Sequence, residues 1–497
     1  MKNISIIFTL ILLMTSCQDE FLDINSETDL TTGNYFKTVA DMESAVNGIY
    51  AALPDIYNEA WMLGEFASDN TYYQLNISRG DVEEEEQIAN HQMLRANPNL
   101  ATKFEANYRL IARANQVLVS FESGDFEPAF EDPKRGEALF LRSLAYFDLV
   151  RYFGDIPLVT TPATSFEETR QPAVAPNVIF ELIKSDVAEA ASLLPTKVNQ
   201  EVGRPSSEAA YTLLADIHIW LEEWALAESA LSNVIDAPGM ALEANYADVF
   251  DPNNKFGVES IFEVSYLPNN QNASNFTYPW LPVPLSVAQN EAILGITGGE
   301  EDNNRQAFNI PSPELIAQYD QENDTRFAAS IQSVQVQNSA NFPTPAIPPT
   351  LPYISKFLHP HPGWLQAGEN WPVYRYAEVK LMMAEAQWEL NNGSTTALAH
   401  VNDVRSRAGL PPLASLTKAD IMNERRLELA FEAKRYLDLK RTGMLESVMS
   451  AMRTAITNDP EAYYFPPGTT PPDGFLSTIA TDYEIPTSEA ALNPNID

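Results

Sequence analysis

Cysteine is almost absent from this chain of 497 residues, since Cys17 is the only one. A single thiol forms no intramolecular disulfide, and it excludes a zinc or redox site built from several cysteines. Basic side chains are also scarce: 31 lysines and arginines stand against 68 acidic residues, a formal net charge of -37. Such a field repels a phosphate backbone, so we expect no nucleic-acid partner and favour a neutral ligand.

Long apolar runs are equally scarce, and the one near the N terminus is short. Residues 4–14 form an apolar run of 11 after Lys2, whereas a membrane span needs about 20. Small residues then lead to Cys17, an order typical of a signal peptide over residues 1–16. The position of this cysteine resembles a lipobox, at which bacteria acylate a lipoprotein; ordinary secretion with an incidental cysteine is the alternative. We expect Cys17 to carry a lipid anchor, followed by a tether over residues 17–40.

Helical periodicity dominates two separated parts of the chain. In residues 210–234 the apolar side chains recur at steps of three and four, which predicts two amphipathic helices joined by a tight turn. Residues 377–388 and 397–407 show a second such pair. The first pair resembles the hinge of a tetratricopeptide (TPR) helix pair. The pattern predicts a helical scaffold over residues 41–240 and 373–458.

Two further helices are predicted within that scaffold. The first runs over residues 41–53, with Asp41 as its N-cap. The other, over residues 138–153, is apolar on nearly all sides, so it is expected to be a buried strut. Its charged members Arg142 and Asp148 then need partners, because an unpaired buried charge is costly.

Two parts of the chain are different in composition. Residues 241–372 hold many prolines and asparagines, which favours loops and short strands and predicts a long loop-rich insert that binds the ligand. Residues 459–497 are predicted to form an irregular C-terminal tail. The predicted fold class is therefore mainly α, with TPR-like helix pairs carrying a loop-rich insert.

A set of motifs spread over nearly the whole chain resembles the SusD/RagB family. Each motif is weak alone, but their order and their coupling to a lipobox are specific. The motifs are Phe21-Leu22-Asp23; Tyr35-Phe36 with Asp41, Ala45, Asn47, Gly48 and Tyr50; Phe140-Leu141-Arg142-Ser143-Leu144-Ala145-Tyr146-Phe147 with Gly154-Asp155-Ile156-Pro157-Leu158; Gly203-Arg204-Pro205; Arg375-Tyr376-Ala377-Glu378-Val379; Asn402 with Val404, Arg405, Arg407 and Gly409; Glu424-Arg425-Arg426-Leu427-Glu428-Leu429-Ala430-Phe431-Glu432; and Ile485-Pro486 with Asn493-Pro494.

The resemblance implies more than the residues alone can establish. It implies a SusD-like helical fold, a lipid anchor that holds the protein on the exterior of the cell outer membrane, and a SusC-like TonB-dependent transporter as partner. It also implies the capture of a glycan or oligosaccharide without catalysis. We expect no cofactor. The family's shared motifs are scaffold motifs, so the resemblance supports the fold better than the identity of the glycan.

Candidate ligand-binding residues follow from the chemistry of sugars. Flat aromatic rings cover the apolar faces of a pyranose, while amide, carboxylate and guanidinium groups pair with its hydroxyls. We therefore select aromatic side chains in loops as candidates, with core packing as the alternative reading. The aromatic candidates are Trp61, Tyr72, Tyr73, Phe276, Tyr278, Trp280, Trp364 and Trp371, and the polar ones are Asp69, Asn70, Asn304 and Arg305. By contrast, Trp220, Trp224 and Trp388 lie on helical stripes and are expected in the core.

No metal ion is expected from the sequence. The run from Glu83 to Glu86 is read as a solvated face, with a calcium site as the alternative. His359 and His361 alternate with prolines and lack a visible third ligand.

Two other functions remain open. No metalloprotease, nucleophile-elbow, P-loop or dinucleotide-binding motif is present in the sequence. A glycosidase, however, needs only two carboxylates roughly 5 to 10 Å apart. A lipid-anchored glycan hydrolase is therefore the first alternative, and a TPR-type adaptor that binds only protein is the second.

Overall fold

A computed structural model describes residues 36–74, 84–92, 94–269, 271–298, 307–336 and 350–496. Helices dominate, which confirms the predicted fold class. The helices of the N-terminal half are α1 (Val39–Tyr50), α2 (Leu53–Tyr57), a π-helical turn (Met62–Phe66), α3 (Glu84–Ala89), α4 (Pro98–Ser123), α5 (Pro128–Phe153), α6 (Pro176–Leu193), α7 (Ser207–Trp220) and α8 (Trp224–Leu231). Those of the C-terminal half are α9 (Val287–Leu294), α10 (Pro313–Gln318), α11 (Thr325–Ser330), α12 (Tyr376–Leu390), α13 (Thr395–Arg407), α14 (Lys418–Glu428), α15 (Arg435–Arg441), α16 (Leu445–Asn458) and α17 (Thr487–Leu492).

The strands form antiparallel pairs that tie distant segments together. They are β1 (Thr71–Tyr72) with β5 (Ile310–Pro311), β2 (Ile156–Pro157) with β3 (Ala173–Val174), β4 (Ser260–Val264) with β8 (Trp371–Arg375), and β6 (Ile331–Gln335) with β7 (Thr350–Ile354). Because β8 runs directly into α12, its pairing with β4 fixes the start of the insert to the C-terminal scaffold.

The first helix begins earlier than its sequence suggests. Thr38 is the N-cap of α1, and its side chain accepts a hydrogen bond from the backbone N–H of Asp41, whose carboxylate in turn accepts from the backbone N–H of Thr38. This reciprocal pair is a capping box. The prediction of Asp41 as the N-cap is therefore wrong, because Asp41 occupies the third helical position and closes the box.

Helix α5 is the buried strut that its apolar sequence predicts. The Arg142 guanidinium bonds to Asp186 on α6 at 2.7 Å and donates to Asn115 on α4 at 2.8 Å. Asp148 bonds to Lys103 on α4 at 2.5 Å. The expectation that these charges are paired is confirmed, and both pairs fasten α5 to its neighbours.

The two predicted helix pairs are present. Residues 221–223 turn between α7 and α8, and Glu222 adopts the left-handed conformation (φ 57°) that this tight turn requires. Ala227 is fully buried where α8 approaches its neighbours closely. Helices α12 and α13 enclose an apolar cluster of their own. Among the described residues, none of the helices combines the length and the apolar character needed to cross a membrane.

A buried set of ion pairs, which we call the central ion network, joins the insert to the C-terminal scaffold. Its members are Glu259, Asp324, Arg326 and Lys356 from the insert, and Arg375, Arg407, Glu424, Glu428 and Glu432 from the scaffold. At its centre Arg375 bonds to Glu428 at 2.5 Å, to Glu432 at 2.8 Å and to Glu259 at 2.8 Å.

The network holds Glu428 and Glu432 in the charged form, since the cations around them lower the pKa of both. Burial alone would raise the pKa of Glu428, but the guanidinium groups of Arg407, Arg375 and Arg326 outweigh it and hold that pKa well below its usual range. For Lys356, burial lowers the pKa to about 8, although Glu432 at 2.5 Å opposes the shift. The insert is thus anchored by charge as well as by strand pairing.

Candidate functional site

Most of the aromatic candidates lie inside the protein. Trp61, Phe276, Trp280 and Trp371 are only 1% to 2% exposed. Their rings pack on one another: the Trp61 and Trp280 centroids are 5.7 Å apart, and Phe276 meets Trp371 edge to face at 5.1 Å. Our expectation that these rings are exposed in loops is wrong, because rings from distant parts of the chain pack together in one core cluster.

The two adjacent tyrosine candidates also lie inside the protein. Tyr72 and Tyr73 are fully buried, with ring centroids 4.5 Å apart. The Tyr72 hydroxyl donates to Asn90 Oδ1 at 2.6 Å, and Asn90 Nδ2 donates to the Tyr73 hydroxyl at 3.0 Å. Both hydroxyls are thus used internally, and neither ring offers a face to a ligand in this structure.

The polar candidates Asp69 and Asn70 are committed to structural contacts. Asp69 receives two hydrogen bonds from Arg435, at 2.8 and 3.0 Å, and also bonds to Arg426 at 2.8 Å. Burial would raise the pKa of Asp69, but these two guanidinium groups lower it overall. Asn70 donates to Glu65 at 2.8 Å and accepts from Arg426 at 2.7 Å. They join the π-helical turn to α14 and α15, and neither is open to a ligand.

Asn304 and Arg305 lie outside the described residues, as does Glu83 of the acidic run. The rest of that run belongs to α3, where Glu86 is buried. Within the described ranges, no group of three or more His, Cys, Asp or Glu side chains is placed to hold a metal ion.

Trp364 is the one aromatic candidate that reaches the surface. Its ring is half-buried and meets the Tyr278 ring edge to face, with the centroids 4.9 Å apart. Both rings belong to a second apolar cluster, separate from the main core and built from insert residues and Tyr464. Tyr278, although 1% exposed, therefore acts as the support on which Trp364 rests.

A chain of hydrogen bonds fixes this support. His361 Nδ1 donates to the His359 carbonyl at 2.9 Å, which leaves Nε2 as the acceptor for the Tyr278 hydroxyl at 2.7 Å. The Tyr278 oxygen in turn accepts from the Leu365 N–H at 2.8 Å. Burial raises the pKa of Tyr278 to about 12, so the hydroxyl keeps its proton and donates it to His361.

Hydrogen bonds and a close contact with Pro268 hold the segment that follows Trp364 in place. Ser274 N–H donates to the Ala367 carbonyl at 2.9 Å, and Asn370 accepts from the Tyr266 N–H at 3.0 Å. Gly368 lies so close to Pro268 that an added Cβ would be 2.9 Å from the proline ring. Trp364 therefore stands on a rigid loop rather than on a free one, which lowers the entropy cost of binding.

Two family profiles match the chain. The one described as the SusD family matches residues 337–496, and the one described as starch-binding associating with outer membrane matches residues 20–219. This chain belongs to the SusD family.

Relatives in sequence agree with that membership, and solved structures share the fold. A SusD-like protein of Formosa agariphila is 27% identical over 502 residues, covering 92% of this chain and 95% of its own length. A SusD-like carbohydrate-binding protein from Bacteroides fragilis superposes with a TM-score of 0.75 at 22% identity, covering 93% and 99% of the two chains. Surface glycan-binding protein A from Bacteroides thetaiotaomicron, solved with laminarihexaose, gives 0.71 at 20% identity, covering 92% and 98%.

One polar group of this SusD-family member was missed in the sequence. Gln366 is half-buried beside Trp364, and a Cβ added at Gly363 would lie 3.4 Å from its Nε2. In the described part of the chain the Gln366 amide has no hydrogen-bond partner. The sequence did offer a signal for Gln366, because its amide lies two residues after a tryptophan in a Gly/Pro-rich segment.

Proposed function

We propose that this SusD-family protein captures a glycan at the surface formed by Trp364 and Gln366. The observation that carries the proposal is a half-buried indole held edge to face on Tyr278, beside an amide that has no hydrogen-bond partner among the described residues. An aromatic face for a sugar ring and a planar amide for its hydroxyls are the two groups that saccharide binding needs. Similar solved proteins support the ligand class, since one is a laminarin-binding SusD-like protein and another is a surface glycan-binding protein in complex with laminarihexaose.

A neutral glycan is the favoured ligand. The formal charge of -37 disfavours sulfated or uronate-rich chains over the whole surface. The segment from His359 to Gln366 carries an indole, two imidazoles and an amide but no carboxylate, and the nearby Glu369 is buried and accepts a hydrogen bond from Ser274. The same residue set supports binding without hydrolysis, because a glycosidase requires two carboxylates flanking the scissile bond.

Replacing Trp364 by alanine should weaken glycan binding while leaving the fold intact. A ring covering about 60 Å² of apolar sugar surface contributes about 1.5 kcal/mol at about 25 cal/mol per Å², and this corresponds to about tenfold in Kd. Affinity electrophoresis in a panel of neutral polysaccharides, followed by calorimetry with the one that binds, measures the change. Reducing-end assays on the same mixtures test for hydrolysis.

Trp388 offers the matched control, because it is also a half-buried tryptophan but donates to the Leu416 carbonyl on the scaffold. Trp388→Ala should bind the glycan as the parent does. Equal affinity of the Trp364→Ala variant and the parent would reject this surface as the site, and new reducing ends would favour the hydrolase.

The protein is further proposed to deliver its glycan to a SusC-like transporter while anchored through acylated Cys17 on the exterior of the outer membrane. The family's association with the outer membrane supports this location. Cys17→Ala should move the protein from the membrane fraction to the soluble fraction, because the acyl chains supply the anchor. Fractionation followed by immunoblotting measures it; a variant still displayed at the surface at parental levels would contradict the anchor.

A further inference from the structure

A second concave surface lies on the helical scaffold, away from the insert. It is a groove with a volume of about 670 Å³, lined in part by the turn between α7 and α8. One wall is the outward face of α14, where Lys418, Met422 and Arg426 follow at intervals of four residues. The opposite wall comes from α15 and the start of α16. At 1.5 Å per residue the α14 wall is about 12 Å long, and the volume lies within the range of small-ligand sites.

Most charges in this groove are matched to one another, and the exposed Glu222 is the exception among its described lining residues. Lys418 bonds to Glu385 at 2.7 Å, and Arg441 bonds to the same carboxylate at 2.6 Å. Asp69 pairs with Arg426 and Arg435 at the other end. Burial alone would raise the pKa of Glu385, yet Arg441 and Lys418 lower it to about 2. An anionic ligand would have to break these pairs and would be repelled by Glu222, so the groove favours an uncharged one.

Uncharged side chains of the groove, in contrast, remain accessible to a ligand. Trp224 is half-buried beside the turn between α7 and α8, and Lys418 Nζ lies over its ring at 5.0 Å from the centroid. In the ranges that the structure describes, neither the Trp224 indole N–H nor the exposed Asn423 amide has a hydrogen-bond partner. Met444 adds an apolar surface that is 49% exposed.

From this combination we infer that the groove between α8, α14 and α16 is a second saccharide site, in which Trp224 packs against a neutral sugar ring beside Lys418 and Asn423 binds its hydroxyls. The inference takes its ligand class from the proposed function but shares no residue with the Trp364 surface. Two sites on one chain raise the avidity for a long polysaccharide, because the second contact is made at a high effective concentration.

The test uses the full-length protein carrying Trp364→Ala, so that only the groove remains. Its binding to starch, laminarin, xylan and galactomannan is measured by affinity electrophoresis and calorimetry. We expect residual binding to at least one of these, weakened about tenfold by adding Trp224→Ala, from the loss of the ring's apolar contact area. Asn423→Ala should weaken it by several-fold. Asn177→Ala on α6, exposed and outside the groove, is the matched control and should change nothing.

The outcomes separate the two proposals. If Trp364→Ala alone removes all binding, or if Trp224→Ala and Asn423→Ala leave the residual binding unchanged, the groove is not a saccharide site and the proposed function stands. A parent protein that binds none of the four polysaccharides rejects both. Asn423→Ala keeps the test decisive if Trp224→Ala lowers the melting temperature, because alanine is well tolerated at an exposed helical position.

Discussion

Replacing Arg375 by alanine should lower the free energy of unfolding by about 3–5 kcal/mol, the usual cost of removing one partner from a buried ion pair. Arg375 is 1% exposed and bonds to Glu428, Glu432 and Glu259. Without it, three buried carboxylates lose a cation at the centre of the network. Urea denaturation followed by circular dichroism measures the loss.

Arg453→Ala is the control, since Arg453 is exposed on α16 and should change the stability by no more than about 0.5 kcal/mol. The double variant Arg375→Ala, Glu432→Gln should cost less than the sum of its single variants, because it also removes one of the stranded charges. An Arg375→Ala protein as stable as the parent would show that the network contributes little to folding.

Replacing Trp280 by alanine should destabilise the fold by about 3–5 kcal/mol, as expected for a large aromatic ring removed from a core. The ring is 1% exposed and packs against Trp61 and Phe276. Its effect should appear first as a lower midpoint of thermal or urea unfolding. Glycan affinity of the fraction that remains folded should change little.

The Trp280→Phe variant separates the contribution of the aromatic ring from that of the indole N–H group. It keeps an aromatic ring and removes an indole N–H that, among the described residues, is buried without a hydrogen-bond partner, so it should cost clearly less than Trp280→Ala. A Trp280→Ala variant with parental stability but no glycan binding would return this residue to the list of ligand contacts.

The scaffold was predictable because its signals are local. A helix buries one face, so the spacing of apolar residues in α7, α8, α12 and α13 indicates both the helix and its inner side. The turn between α12 and α13 follows from Asn391-Asn392-Gly393, which interrupts that spacing. Helix ends were less predictable: both Thr38 and Asp41 are good caps, and only the reciprocal hydrogen bonds decide between them.

The ligand surface was not predictable in the same way. Phe276 and Trp280 lie in an Asn- and Pro-rich segment, where composition favours exposure, yet distant residues such as Trp61 and Trp371 cover them. No local pattern encodes such long-range packing. Trp364, from a segment of similar composition, stays half-exposed.

The tryptophans on helices deviate from prediction in the opposite direction, since they were expected in the core and reach the surface. Trp220, Trp224 and Trp388 pack against the core clusters, as their helical stripes predict, but each remains half-exposed. A large ring on the edge of a helix stripe can touch the core with one side and solvent with the other. For this reason the sequence pattern predicts Trp224 as a core residue.

The central ion network makes residues 241–372 inseparable from the rest of the molecule. Arg326 and Lys356 supply positive charge to Glu424, Glu428 and Glu432, which belong to the scaffold. Deleting or exchanging the insert would leave those carboxylates buried beside too few cations. A new ligand specificity should therefore be engineered by changing surface loops one at a time, while the charged residues that join the insert to the scaffold are kept. Scaffold and insert should melt in a single cooperative transition.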